Sequence, residues 1–547
     1  PRPKVQKGFF AAFNRWFARR MDKYTAFTPT LIRHVARTGV FIAAVLAVIF
    51  LVWRKLPAGF LPEEDQGYVM VMVSTPEASS LQVTQKAMIR ADEVIRTLPE
   101  VASTSFAAGF NMMAGIASTD SGIIFVSLVG YSDRKLTAME IAQKLTDELY
   151  MAVPGAECFA FIPPSIPGLG ITSGVSVEVQ DLEGRGTAYL LEQSERLMDS
   201  LRKLPSVASV TTQFNAGVPQ RRLRIDKEQA LASGVDLGVL YGDLTTLLGG
   251  AYVNNFSRFG KLYQTYIQAA PAYRMDKRSL DSYYVASSSG ESVPVSSLVE
   301  VVDTVGVEYV SQFNLYRSIG LTVTPAARTS TTTVMQDITR TAAQVLPDDV
   351  GTAWSGTSFQ EANASKTGGL VYLLALVFVF LALAALYESW GLPLAILMSV
   401  PVAVLGAVLF IGVSHLLNAF YVNDIYMQIS LVMLIGLAAK NAILVVEYAD
   451  RLFNEQGASL MDAAIGAAKL RVRPIIMTAF AFILGVMPLI FASGVYATAR
   501  NIMGVALVGG MLFATLLGIF VYPALYYFVG RIGGFERRRE RKKQEQS

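Results

Sequence analysis

The sequence predicts a membrane α-helical bundle of six spans, one early and five late. The bundle carries a large α+β extracytoplasmic domain of ferredoxin-like β-α-β units. Three observations predict this. Apolar runs long enough to cross a bilayer fall at 370–387, 392–413, 425–446, 474–496 and 502–529, with a shorter one at 38–53. About 310 residues of ordinary soluble composition separate that shorter run from the others. Within that stretch a β-α-β-β-α-β order occurs twice.

Residues 1–37 read as a cytoplasmic amphipathic helix in the membrane interface. Phe9, Phe13, Trp16 and Phe17 fall on one helical face, with Arg15, Arg19 and Lys23 elsewhere. A signal peptide fits less well, because no small-residue cleavage site follows the apolar run. The opening at Pro1 without a Met points to an internal start, as in one half of a longer protein. Residues 38–56 form the first span, short but flanked by Arg37, Arg54 and Lys55, which snorkel to the interfaces.

The first soluble unit occupies 57–171, with strands at 67–75, 101–107, 122–131 and 157–162 and helices at 80–98 and 137–152. The second unit is split, 172–213 and 313–365, with strands at 173–180, 206–213, 318–324 and 351–355 and helices at 188–204 and 332–346. The matching turns LPEVAST at 98–104 and LPSVASV at 204–210 mark the repeat. Residues 214–312, rich in Tyr, Ser and Gly, form an insertion into the second unit. Five spans fill 366–530, and a basic tail follows at 531–547.

Charge sets the orientation. Residues 1–37 hold nine Lys/Arg against Asp22 alone, and the tail is also basic. Both ends are expected in the cytoplasm. The basic stretch 450–473 reads as an inner loop, and 414–424, without Lys or Arg, as an outer one. The large domain is then extracytoplasmic.

Composition excludes several classes. Only 16% of the 547 residues are charged and 52% are hydrophobic, against about 25% charged in an average soluble chain. A net charge of +4 argues against a nucleic-acid partner. One cysteine, Cys158, precludes an intrachain disulfide, and two histidines preclude a His/Cys zinc cage. No metal site or cofactor is expected. A Walker A motif is absent. No Ser/His/Asp set is present, so the chain does not read as an enzyme.

Lys440 is the sharpest residue. It lies inside the span 425–446, where a Lys costs about 2.5–3.5 kcal/mol on insertion scales. No other span contains an Asp or Glu. Glu447 is on the same helix, roughly 10 Å along the axis. The partner carboxylate is either missing or supplied by another chain. Arg471 and Thr478, seven residues apart, share a face of the next helix and extend a polar track. One reading is a fixed ion pair that holds helices together. The other is a proton or ion relay in an energised transporter, which suits a Lys because a buried Lys titrates more readily than Arg.

These features bring a family into view. LPAGFLPEEDQG at 56–67, AALYESW at 384–390, GLAAKNAILVVE at 436–447 and RPIIMTAFAFILGVMP at 473–488 resemble the carboxy-terminal half of resistance–nodulation–division (RND) transporters, in the hydrophobic and amphiphilic drug-efflux branch. The resemblance covers essentially the whole chain. It implies a missing first half of about 500 residues, carrying paired Asp that meet Lys440. It also implies a homotrimer, a periplasmic adaptor protein and an outer-membrane channel. The energy source would be the proton gradient, and the cargo amphiphilic small molecules. By motif the relay would comprise Lys440, Asn441, Arg471 and Thr478. The two β-α-β units resemble porter subdomains, and 214–312 resembles a docking subdomain. Tyr68, Met70, Phe106, Phe110, Met112, Met113 and Phe125 would line the substrate pocket, with 108–121 as a Gly-containing switch loop. Val175 and Val177 stand where relatives often carry phenylalanine in the outer access pocket.

Two rivals remain. The heavy-metal branch would use Met70, Met112 and Met113 as thioether ligands. That branch draws a third Met from the segment 171–179, which has none here, and lacks the lysine of the Ala-Lys-Asn motif. The other rival is a non-transporting membrane scaffold or sensor.

Overall fold

The computed structural model describes residues 9–535 apart from 33–34, 167, 171, 327–328 and 419. The chain forms two units, Phe214–Val310 and everything else.

Helix α1 (Phe9–Ile32) precedes the first span, α2 (Val35–Lys55). The side chains of Phe9, Phe13 and Phe17 lie outside the described residues, while Trp16 is exposed. The far end of α1 is packed: Thr28 and Ile32 are buried, and Ile32 joins a core with Leu383, Phe453 and Tyr526.

The first soluble sheet contains β1 (Tyr68–Ser74), β2 (Val101–Asn111), β3 (Ile116–Leu128) and β4 (Glu157–Phe161). Helices α3 (Leu81–Ile95) and α4 (Ala138–Ala152) connect them in a β-α-β-β-α-β order. The spatial order is β2-β3-β1-β4, all antiparallel. One face carries Val69, Val71, Val73, Ile124 and Val126. These bury against Met88 and Ile95 of α3 and Ile141, Leu145 and Leu149 of α4. The alternation of the strands and the 3–4 residue spacing of the helices make that face. Thr137 and Glu140 close a reciprocal cap at the start of α4.

The second sheet repeats the order with β5 (Val175–Asp181), α5 (Thr187–Leu201) and β6 (Val207–Thr212). After the insertion come β13 (Ser311–Phe313), β14 (Tyr316–Pro325), α8 (Thr331–Val345) and β15 (Val350–Trp354). Strand β14 pairs with both β5 and β6, and β15 pairs with β5. The same 2-3-1-4 arrangement of the first sheet results.

The inserted unit has its own core of Leu240, Leu244, Leu280, Tyr283, Val285 and Leu298. It comprises β7 (Val218–Ile225), α6 (Lys227–Ala232), α7 (Leu237–Leu244), β8 (Ala251–Arg258), β9 (Lys261–Ile267), β10 (Tyr284–Ala286), β11 (Ser292–Pro294) and β12 (Val299–Gly306). Three antiparallel pairs, β7 with β12, β8 with β9 and β10 with β11, form its sheets.

The remaining helices are α9 (Gly356–Tyr387), α10 (Gly391–Leu397), α11 (Val400–Leu417), α12 (Ile425–Asn454), α13 (Leu460–Ile490), α14 (Ala497–Leu516) and α15 (Gly518–Ile532). Among the described residues six stretches are long and apolar enough to span a membrane: Ala36–Lys55, Gly369–Tyr387, Gly391–Leu417, Ile425–Asn454, Leu460–Ile490 and Ala497–Leu516.

Three expectations need correction. The loop expected at 450–473 narrows to 455–459. α12 runs to Asn454, and α13 starts at Leu460 behind the Ser459 cap. Charged residues beyond the apolar part of a helix need only reach water, so they do not end it. The last apolar run, 502–529, is divided between α14 and α15. Pro523 has no N–H for the Ile519 carbonyl, which accepts from the Tyr24 hydroxyl at 2.8 Å instead. The Tyr522 hydroxyl caps the Ala514 carbonyl at 2.6 Å on the other side of the break. Finally, 108–121 is not a loop. β2 and β3 pair out to Asn111 and Ile116, leaving a tight turn closed by the Gly115 amide on the Asn111 carbonyl. The basic tail past Phe535 lies outside the described residues.

Candidate functional site

The polar track lies on α12 and α13. Lys440 sits on an exposed stripe of α12 with Ile429, Met433, Gly436 and Glu447, residues spaced by three, four or seven. Among the described residues no ion pair includes Lys440; Glu447 pairs with Arg451 at 3.5 Å. Arg471 lays its guanidinium over the Tyr448 ring at 4.8 Å, and its buried Nε has no hydrogen-bond partner among the described residues. Thr478 is exposed on the same helix, its hydroxyl donating to the Ile475 carbonyl at 3.0 Å. Asn441 faces elsewhere. It is 1% exposed, set against the Tyr522 hydroxyl, with its Nδ2 unpartnered among the described residues. Lys440, Arg471 and Thr478 therefore border open faces of adjacent helices, while Asn441 is turned into the bundle. Around them Met477, Phe480 and Leu484 of α13 are exposed and apolar.

The second constellation is the face of the first sheet opposite its helices. Met70 stands directly across from Phe125 on β3 and Phe161 on β4. Directly opposed residues share a face, so Tyr68, Met70, Met72, Ile123, Phe125 and Phe161 lie together. Met112 and Met113 pack onto the cluster of Met70, Met72, Ile123 and Phe161. The Asn111 side chain holds their turn by accepting from the Ala114 amide at 3.0 Å. Phe159 stacks on Phe161 with ring centroids 5.8 Å apart and is half exposed. Phe106 pairs with Ile124 and so belongs to the helix-side face, at the sheet edge. Phe110 lies past a bulge, opposite Ala117, and is exposed.

Val175 and Val177 are corrected. Both are fully buried on β5 with Val179, Leu321 and Val323. A strand shielded by helices α5 and α8 buries its β-branched residues, so these two form core here rather than an open pocket wall. Phe159, Phe161, Met72 and Ile123 were not picked out from sequence. Their signal is the strand register, which alternation within one strand does not supply.

A third feature was legible only as a family motif. The segment 56–67 ties bundle and sheet together within one unit. Glu64, 2% exposed, accepts from the Ala499 amide at 2.7 Å and the Thr498 amide at 3.2 Å at the start of α14. A carboxylate at a helix N-terminus is the favourable sign for the dipole. Burial nonetheless raises its pKa above the ordinary range, against those amides and Arg500. One residue on, burial also opposes ionisation of Asp65. The Arg134 guanidinium at 2.7 Å and the Ala138 and Gly67 amides outweigh it and hold the carboxyl low. Asp424 caps α12 by accepting from the Met427 amide at 2.8 Å. It is completely buried, its Oδ2 has no partner among the described residues, and burial pushes its pKa up to about 7. Four residues after Glu64 the chain enters β1, which carries Tyr68 and Met70.

The family model described as AcrB/AcrD/AcrF matches residues 1–530 of the chain. The toluene efflux pump membrane transporter TtgB of Pseudomonas putida is 36% identical over 533 residues, 96% of this chain and 50% of that protein. The multidrug resistance protein MdtF of Escherichia coli (strain K12) is 34% identical over 529 residues, 95% of this chain and 50% of its own. The multidrug export protein AcrF of the same strain is 32% identical, with 96% and 50% covered. The chain spans about half the length of the curated relatives it matches.

Proposed function

Because the chain belongs to the AcrB/AcrD/AcrF family of RND efflux transporters, which are not enzymes, we propose that it supplies one half of a proton-driven antiporter that exports amphiphilic small molecules. The observation that carries this reading is Lys440: a cation inside a span, in no ion pair among the described residues, on an exposed stripe of α12. Such a charge needs a counter-ion. A first half with paired Asp would supply it on the exposed faces of α12 and α13. Protonation of one Asp would weaken its hold on Lys440, and the helices would shift. Arg471 and Thr478, on the adjoining face, would stabilise the alternative pairing.

The two split β-α-β sheets read as ferredoxin-like porter subdomains on the periplasmic side of the inner membrane. The inserted unit reads as a docking module toward a periplasmic adaptor and an outer-membrane channel, in a homotrimer. The face bearing Tyr68, Met70, Met72, Phe125, Phe159 and Phe161 suits varied amphiphilic cargo, because thioethers and aromatic rings repack around different shapes. The segment 56–67 would transmit helix motion to that face, through Glu64 on α14 and Asp65 on α4.

The test is Lys440→Ala in cells making the complete transporter at wild-type level. Export is expected to stop while the purified variant still assembles and binds drug. Retained export would overturn the relay. Loss of assembly alone would favour a scaffold.

A further inference from the structure

A cleft of about 250 Å³ opens between α2 and α15, lined by Arg37, Thr38, Phe41, Phe520, Val521 and Ala524. Its level follows from the spans. The apolar stretch of α2 begins at Ala36, so Arg37 and Thr38 stand at one of its ends. The cleft therefore sits where α2 meets the membrane surface. Its floor is apolar, with Val521 and Ala524 buried and Phe41 partly exposed.

Cations outnumber acids on the helices around it. Arg37 lines the cleft and belongs to no ion pair among the described residues. Neither α2 nor α15 contains an acid. Helix α1 is pinned beside the cleft, since the Tyr24 ring meets Phe520 edge-on at 5.2 Å and its hydroxyl bonds the Ile519 carbonyl. Arg20 lies one turn before Tyr24 on the same face of α1, and Lys23 is adjacent in sequence. The acid of α1 is Asp22, against Arg15, Arg19, Arg20 and Lys23. An apolar slot at interface depth with a cationic lip complements a molecule that has a negative head and a hydrocarbon tail.

We propose that this cleft binds an anionic glycerophospholipid, its phosphate on Arg37 and one acyl chain against Phe41, Phe520 and Ala524. The lipid would wedge between α2 and α15 and fix α1 to the bundle. Its assignment to the cytoplasmic leaflet rests on the orientation proposed above; the binding itself does not.

The test titrates the purified, detergent-solubilised complete transporter with phosphatidylglycerol and phosphatidylethanolamine of identical chains, read by native mass spectrometry. The wild type is expected to prefer phosphatidylglycerol. Arg37→Gln should reduce that preference about tenfold, the loss expected of one charge-assisted contact. Arg37→Lys should keep most of it, and Arg54→Gln, at the opposite end of α2, should leave it unchanged. Equal retention of both lipids by the wild type, an unaltered preference in Arg37→Gln, or displacement by inorganic phosphate alone would overturn the proposal. Orientation is read separately, by maleimide labelling of Lys23→Cys in spheroplasts. Labelling from outside would move the site to the other leaflet without touching the binding result.

Discussion

The crossing of α11 and α14 is the tightest test of the bundle. Gly406 of α11 lies against Gly509 of α14, in small-residue runs that also hold Ala403, Ala407, Ala506 and Gly510. Small residues let helix backbones approach where no side chain intervenes. A Cβ at Gly406 would collide with the Gly509 carbonyl oxygen and sit 2.6 Å from Phe513 Cβ. Carbon contacts are comfortable at about 3.5–4.0 Å, so the overlap is on the order of 1 Å. One obstacle is backbone, so relief means moving a helix. Overpacking of this kind costs about 1–3 kcal/mol. Gly406→Ala should therefore lower the apparent unfolding temperature in detergent, followed by fluorescence-detected size exclusion. Gly242→Ala in α7 is the control, since nothing lies within 4 Å of its added Cβ. There the usual helix preference of Ala should stabilise by roughly 0.5–1 kcal/mol. A Gly406→Ala protein as stable as wild type would refute the close crossing.

Asp65→Asn should destabilise strongly at neutral pH, because it strips the counter-charge from Arg134, whose side chain is 2% exposed. The cost approaches about 3 kcal/mol, the low end for breaking a buried pair, and is checked by urea unfolding. Asp65 has a lowered pKa in the folded state, so its stabilisation is present above the ordinary carboxylate value and fades as pH falls through the folded value. Wild type and Asp65→Asn should converge in acid; parallel pH curves would contradict the clamp. Asp424 has the opposite sign, with a folded pKa raised to about 7. The folded state then holds the extra proton between about pH 4 and 7, so this group lowers stability as pH rises through that window. Asp424→Asn keeps the Oδ1 cap and should gain thermal stability over wild type at pH 8 but not at pH 4. On the first sheet, Phe125→Ala should reshape the drug-resistance profile more than Phe106→Ala, measured by growth inhibition across a drug panel. The reverse order would contradict the strand register.

Much of the fold was legible because bilayers and sheets impose periods on a sequence. Uncharged runs mark spans, and the repeat LPEVAST and LPSVASV marks where helix α3 or α5 returns to a strand. The ends were less legible. Lys469, Arg471 and Arg473 look like loop charges, yet a helix emerging into water keeps its hydrogen bonds with charged residues on it. Pro523 reads as an interruption in an apolar run, but the break falls earlier, at Leu517, where the Tyr522 hydroxyl takes up the Ala514 carbonyl. In the sheet, Tyr68, Met70 and Phe125 were named from resemblance, and Phe161 was missed. Strand-internal alternation leaves open which residues of another strand lie opposite.

The sequence by itself determined that the chain crosses a membrane, where its long polar insertion falls, and that Lys440 stands inside a span at a cost. Each follows from transfer free energy, which depends on residue type and run length. Only the tertiary structure decided that Val175 and Val177 are core and that Asn441 faces away from Lys440. It alone joined Glu64, Asp65 and Asp424 to the helix ends and gave Arg37 a cleft. Those depend on pairings between residues distant along the chain, which register and packing select and composition does not encode.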